Sequence, residues 1–151
     1  MWWFLIITIL IAIDQSIKYI SELYLKPINT YPVIKDVFHL TYARNTGAAF
    51  SIFQGQQMLL ISITSIVIIG LVYWIIRIKD RDTKFLKISL SFIIGGAVGN
   101  LIDRIRLNYV IDMYDFNLIN YPIFNTADIF VVIGTILMIY VVIAKEKELI
   151  F

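Results

Sequence analysis

Four apolar runs, each long enough or nearly long enough to cross a bilayer, constrain this chain more than any other feature. A hydrocarbon core ~30 Å thick is spanned by about 20 helical residues. The candidate spans are residues 2–24, 57–76, 85–102 and 127–144, and from Asn45 to Ile76 there is no acidic or basic residue. Composition agrees, since 60% of the 151 residues are hydrophobic and 16% charged, against about 25% charged in an ordinary globular domain. The expected fold class is therefore a mainly α membrane protein with four transmembrane helices, one domain over residues 1–151. A cleaved signal peptide is the alternative for the N-terminus. That stretch lacks a basic n-region and a small-x-small cleavage site, and its amphipathic pattern runs on to about Tyr24.

Several function classes fall away. A net charge of +2 is too small to argue for nucleic acid. With no cysteine, disulfides, thiolate nucleophiles and thiolate metal ligands are excluded. A single histidine, His39, excludes a His-rich metal site. No metal or cofactor is implied.

Orientation is read from Lys and Arg in the flanks. Arg77, Lys79, Arg81 and Lys84 lie between the second and third spans, and Lys145 and Lys147 lie in the tail. Those segments and the N-terminus are expected on the cytoplasmic side, against a modest opposing set of Lys26, Lys35, Arg44, Arg104 and Arg106. Residues 25–56 and 103–126 then face outward. Pro32 to Phe53, rich in β-branched and aromatic residues, reads as short strands on the outer membrane surface.

An ionisable group at membrane depth needs a partner or a task. Asp14 and Lys18 are four apart on one helix face, which Ser21 extends, and read as a structural ion pair. Lys84 and Lys87 can snorkel at the start of the third span. Gly95 and Gly99 permit close helix approach and read as internal packing. Asn100, a buried amide, must find hydrogen-bond partners.

Asp112 lies in an extended apolar run and Asp128 in the first turn of the fourth span. A carboxylate there is favoured by the helix dipole, although Asn125 or Thr126 could fill the cap and free Asp128. If two carboxylates in an apolar site approach closely, one keeps a proton while the other acts as a base. The base can activate water against a peptide carbonyl while the acid protonates the oxyanion or leaving amine. The competing reading is that Asp103, Asp112 and Asp128 merely mark the membrane interface. Two non-peptidase classes also stand: a small transporter, and an assembly subunit without chemistry. Charges clustered at one interface favour surface chemistry over transport.

In order along the chain stand Asp14-x-x-x-Lys18, Asn45-Thr46-Gly47-Ala48-Ala49-Phe50-Ser51, Gly99-Asn100-Leu101-Ile102-Asp103-Arg104, Val110-Ile111-Asp112 and Phe124-Asn125-Thr126-Ala127-Asp128. This series resembles lipoprotein signal peptidase, the type II signal peptidase of bacteria. The resemblance implies an integral aspartyl endopeptidase of the cytoplasmic membrane. Such an enzyme cuts the signal peptide from a diacylglyceryl-modified prolipoprotein just before the lipidated cysteine. It implies Asp112 and Asp128 as the catalytic pair, with Asn45, Gly47, Asn100, Arg104, Asn125 and Ala127 around the active site. Asp14, Lys18 and Asp103 stay structural, with Arg104 expected to hold Asp103 ionised. The resemblance further implies an extracytoplasmic β-sheet cradle, a site near the outer leaflet, and occupancy of the pair by globomycin-type inhibitors. Small residues Gly47, Ala48 and Ala49 would let a substrate backbone approach. The expected partners are the prolipoprotein and membrane lipids, and the expected state is a monomer. Met113 departs from the aromatic residue common after the first acid.

Overall fold

The computed structural model describes residues 2–47, 52–78, 84–119 and 121–148, the side chains of 145–148 excepted. Helix α1 (Trp2–Tyr24) leads into strands β1 (Thr30–Ile34) and β2 (Phe38–Asn45), then α2 (Gln57–Arg77) and α3 (Lys84–Leu107). Strand β3 (Val110–Asp115), a single 3-10 turn at Asn117–Ile119 and α4 (Thr126–Glu148) complete the chain. All four helices are long and apolar enough to cross a membrane, with mean hydropathies from 1.6 to 2.6.

Three of the helices bury little of their surface inside the protein, as suits a hydrocarbon solvent, whereas half of the span on Lys84–Leu107 is buried. On α2 only Leu60 and Ile75 are buried. On α1 the inward stripe is Ile7, Leu10, Asp14, Lys18 and Ser21, apolar in its first half and polar in its second, while Phe4 and Leu5 face out. Ile7, Ile75, Leu90 and Ile94 form the bundle's apolar core. α3 is central and packs against each of the other three helices. Two of its glycines make that closeness possible. A Cβ on Gly99 would stand 2.5 Å from Asp14 Oδ2 on α1, and one on Gly96 would collide with the Ala127 carbonyl oxygen on α4. Gly95 likewise meets Leu10 of α1, so this glycine set serves contacts within the chain.

The third span is longer than the 85–102 expected. It continues through Leu107 and carries Asp103 and Arg104 inside the helix. At 1.5 Å per residue its 24 residues reach ~36 Å. Polarity did not stop the helix, because both charged groups turn into the bundle, where Asp103 is 1% exposed. The stop is Asn108, whose left-handed backbone (φ 62°) and N–H to the Arg104 carbonyl form the helix C-cap. The fourth helix runs beyond residue 144, to Glu148. Lys84 is exposed at the start of α3, whereas Lys87 is buried rather than snorkelling.

The sheet is antiparallel in the order β1-β2-β3. Its first two strands fall largely where strands were expected, although the pairing begins at Thr30 and ends at Asn45. The third strand comes from the second outer segment, so the two outward segments meet in one sheet. Leu25, Tyr42, Ile111 and Met113 form a small core beneath it. Ala48, Ala49, Phe50 and Ser51, the end of one motif, lie outside the described residues, as do Lys79 and Arg81.

Candidate active site

Pairing of β3 with β2 sets Asp112 opposite Ala43, and Asn45 opposite Val110. Asp112 thereby enters a cleft of about 550 Å³, together with Asn45, Asn100, Arg104, Asn125 and Asp128. Asp112 is 2% exposed. Its Oδ2 accepts the Asn45 Nδ2 hydrogen at 3.0 Å and its Oδ1 that of Asn125 Nδ2 at 2.6 Å. Burial, and then the charge of Asp128, push the Asp112 carboxyl up to about 7 despite the two amide donors.

Asp128 is placed by the start of α4. Asn125 Oδ1 accepts the Asp128 backbone N–H at 3.0 Å, and Asp128 Oδ2 accepts the Asn125 backbone N–H at 3.1 Å. This is a reciprocal capping box in an Asn-x-x-Asp version. Asn125 does fill the cap, yet Asp128 is not released by it: one oxygen closes the box. The other, Oδ1, accepts the Asn100 Nδ2 hydrogen at 2.8 Å. Each of the four carboxylate oxygens thus receives one N–H, and the two amides are themselves joined, Asn125 Nδ2 donating to Asn100 Oδ1 at 3.1 Å.

Arg104 is 8% exposed and donates from Nη2 to the Gly47 carbonyl at 3.0 Å, while its buried Nε has no partner. Gly47 N donates in turn to Asn45 Oδ1 at 2.9 Å. Arg104 therefore ties the end of β2 to α3 and presents a cation to the cleft. It does not pair with Asp103, contrary to the expectation from adjacency. Successive residues on a helix point about 100° apart, and Lys18 reaches Asp103 Oδ2 at 3.0 Å instead. Asp103 also accepts from Gln15 Nε2 at 3.0 Å and from the Ile111 backbone N–H at 3.1 Å, which fixes the start of β3. Lys18 bridges Asp103 and Asp14, the latter at 3.0 Å.

The sequence-derived set therefore divides. Asn45, Asn100, Arg104, Asp112, Asn125 and Asp128 share the cleft. Gly47 is its anchor to β2, and Ala127, fully buried, packs against Gly96 and Gly99 rather than lining it. Asp14, Lys18 and Asp103 form a separate buried cluster. Gln15, which bonds to Asp14, Gly99 O and Asp103, was not singled out. Its place next to Asp14 within a span was the available signal. Tyr114 was missed as well; its hydroxyl meets Thr126 Oγ1 at 3.0 Å and ties β3 to the first residue of α4.

Fold and cleft together define a protein with four helices apolar enough to cross a membrane and two carboxylates, buried Asp112 and half-buried Asp128, on one cleft. The family model described as "Signal peptidase (SPase) II" matches residues 6–144. A lipoprotein signal peptidase of Brevibacillus brevis is 43% identical over 148 residues, covering 98% of this chain and 99% of its own. One from Caldanaerobacter subterraneus subsp. tengcongensis is 45% identical, covering 93% and 94%. A bacterial membrane enzyme solved by the in meso method at 2.3 Å superposes with a TM-score of 0.86 at 34% identity, covering 97% of this chain and 90% of that one. The chain belongs to the signal peptidase II family, and is a membrane peptidase.

Proposed function

We propose that the protein is an aspartyl endopeptidase that removes the signal peptide from diacylglyceryl-modified prolipoproteins, cutting just before the lipidated cysteine. The observation that carries this reading is the placement of Asp112 and Asp128 on one cleft, joined through Asn125 and Asn100. Names of relatives supply the substrate class.

Asp112, with its carboxyl raised to about 7, holds the shared proton. Asp128, at the positive end of α4, is the base. It takes a proton from water as the oxygen attacks the scissile carbonyl. Asp112 gives its proton to the developing oxyanion; Asp128 then passes the proton it took from water to the leaving amine as the C–N bond breaks, and Asp112 recovers its proton from the collapsing gem-diol. Arg104 adds a positive charge beside the developing anion.

A diacylglyceryl group is itself a membrane anchor, so the substrate arrives sideways. Val131 and Val132 of α4 line one end of the cleft, and Val132 is 56% exposed on the lipid-facing side. The enzyme lies in the cytoplasmic membrane with both termini cytoplasmic and the cleft near the outer leaflet, as the Lys and Arg distribution suggests. It works as a monomer, and globomycin-type inhibitors occupy the cleft. A gel-shift cleavage assay on a diacylglyceryl prolipoprotein tests the proposal. Asp112→Asn and Asp128→Asn proteins should fold and insert but not cut, and full turnover by the Asp128→Asn protein would refute it.

A further inference from the structure

Lys18 is 2% exposed and does not line the cleft. An ammonium has three donors and no acceptor. All three are used here, on Asp14 Oδ2 at 3.0 Å, Asp103 Oδ2 at 3.0 Å and Asn100 Oδ1 at 2.9 Å. Two of these partners end in the buried cluster. The third, Asn100, also reaches the cleft, where its Nδ2 donates to Asp128.

The two ends of an amide are alike in shape and opposite in hydrogen-bonding character, so neighbours decide which way it faces. Opposite Lys18 only the oxygen of Asn100 can be satisfied. Asn125 Nδ2 brings a second donor to that same oxygen. The NH2 is therefore turned toward Asp128 Oδ1. Reversed, the amide would set N–H groups against an ammonium and against another N–H donor. It would also offer Asp128 a carbonyl oxygen, which only a protonated carboxyl can engage.

We propose that Lys18 is a positioning residue for the peptide-bond cleavage: by fixing the Asn100 amide it presents an N–H to Asp128 and holds that carboxylate as the unprotonated base. Asp14 and Asp103 hold the Lys18 ammonium in place. This rests on the two-aspartate reading above and gives the buried ion cluster a task beyond helix packing.

The test measures kcat and KM of purified, folded protein on a diacylglyceryl prolipoprotein. Lys18→Met alone leaves two carboxylates without their cation, so Lys18→Met is also combined with Asp14→Asn. The double variant keeps Asp103 bonded to Gln15 and the Ile111 N–H. We expect kcat to fall roughly 10- to 100-fold, the range seen when partners that orient reactive groups are lost, while KM changes by less than about twofold. In an Asn100→Ala background the same substitutions should cost less than about twofold more, because the path to Asp128 is already cut. A folded double variant with wild-type kcat would overturn the inference. So would an equal fractional loss with and without Asn100. An inactive Asp128→Asn protein beside either result would leave the two-aspartate reading standing and remove only the role of Lys18. Full activity of Asp128→Asn would remove both.

Discussion

Two pairs of acids in this molecule are held in different ways. Asp14 and Asp103 share the ammonium of Lys18. Asp112 and Asp128 receive amide hydrogens on all four oxygens, and no salt bridge to either is formed among the described residues. The first pair is closed off from the cleft, and the second lines it. Burial is nearly equal for Asp103 and Asp112, at 1% and 2% exposure. Burial alone therefore does not mark an acid for chemistry. A directly bonded cation occupies the facing oxygens of Asp14 and Asp103, whereas neutral amide donors hold Asp112 and Asp128 in position without a counter-charge.

Substitutions that treat the two pairs alike put this contrast under most strain. Asp112→Asn or Asp128→Asn should lower cleavage by at least ~10³-fold, within the range for general acid–base groups, with little change in thermal unfolding. Asp103→Asn should do the reverse. It weakens the bond to Lys18 inside the bundle, and breaking a buried pair costs about 3 kcal/mol. Denaturant unfolding in detergent should register that loss, with a smaller loss of kcat in the protein that remains folded. An Asp103→Asn protein as stable as the parent but dead in the cleavage assay would erase the distinction.

Gly99→Ala sharpens the same contrast from the packing side. The added Cβ would stand 2.5 Å from Asp14 Oδ2, so helix and ion pair must shift. A loss of roughly 1–3 kcal/mol is expected, typical of overpacking, measured by the same unfolding experiment.

The pH response follows from Asp112. Its carboxyl is raised in the folded protein from 3.8 to about 7. The folded state thus binds its proton more tightly than the unfolded chain does. The stability it contributes is complete below about pH 4 and is lost as pH rises through about 7. On the proposed mechanism, with Asp112 as the acid, kcat should decline over the upper part of that range. Removing the Asp128 charge should lower the Asp112 titration, observable by NMR or infrared spectroscopy of the carboxyl in Asp128→Asn. No downward shift would mean that the two groups do not interact.

The smallest effect is expected at Tyr114→Phe. Loss of the hydroxyl contact with Thr126 should cost about 1 kcal/mol or less, with KM more affected than kcat, since the contact only ties β3 to α4.

Much of this was legible in residue order. The four spans follow from apolar runs that hydrocarbon alone can solvate, and the two acids stood out because each lies in apolar sequence. Other features were misread for a physical reason. Adjacency suggested that Arg104 serves Asp103, but adjacent helical residues diverge, and the partner came from α1, 85 positions away in sequence. The apolar run ends at Ile102, but α3 continues to Leu107 and stops at a left-handed asparagine, which an apolar run does not reveal.

The sequence by itself determined the solvent, the span count and the inventory of chemical groups, because these depend on composition and local pattern. Only the tertiary structure decided which carboxylate is pinned by a cation and which is cradled by amides. That assignment depends on close approach of α1, α3 and α4 across glycines and on the register of β3 against β2. Each is a relation between residues far apart in the chain, set by packing rather than by neighbours in sequence.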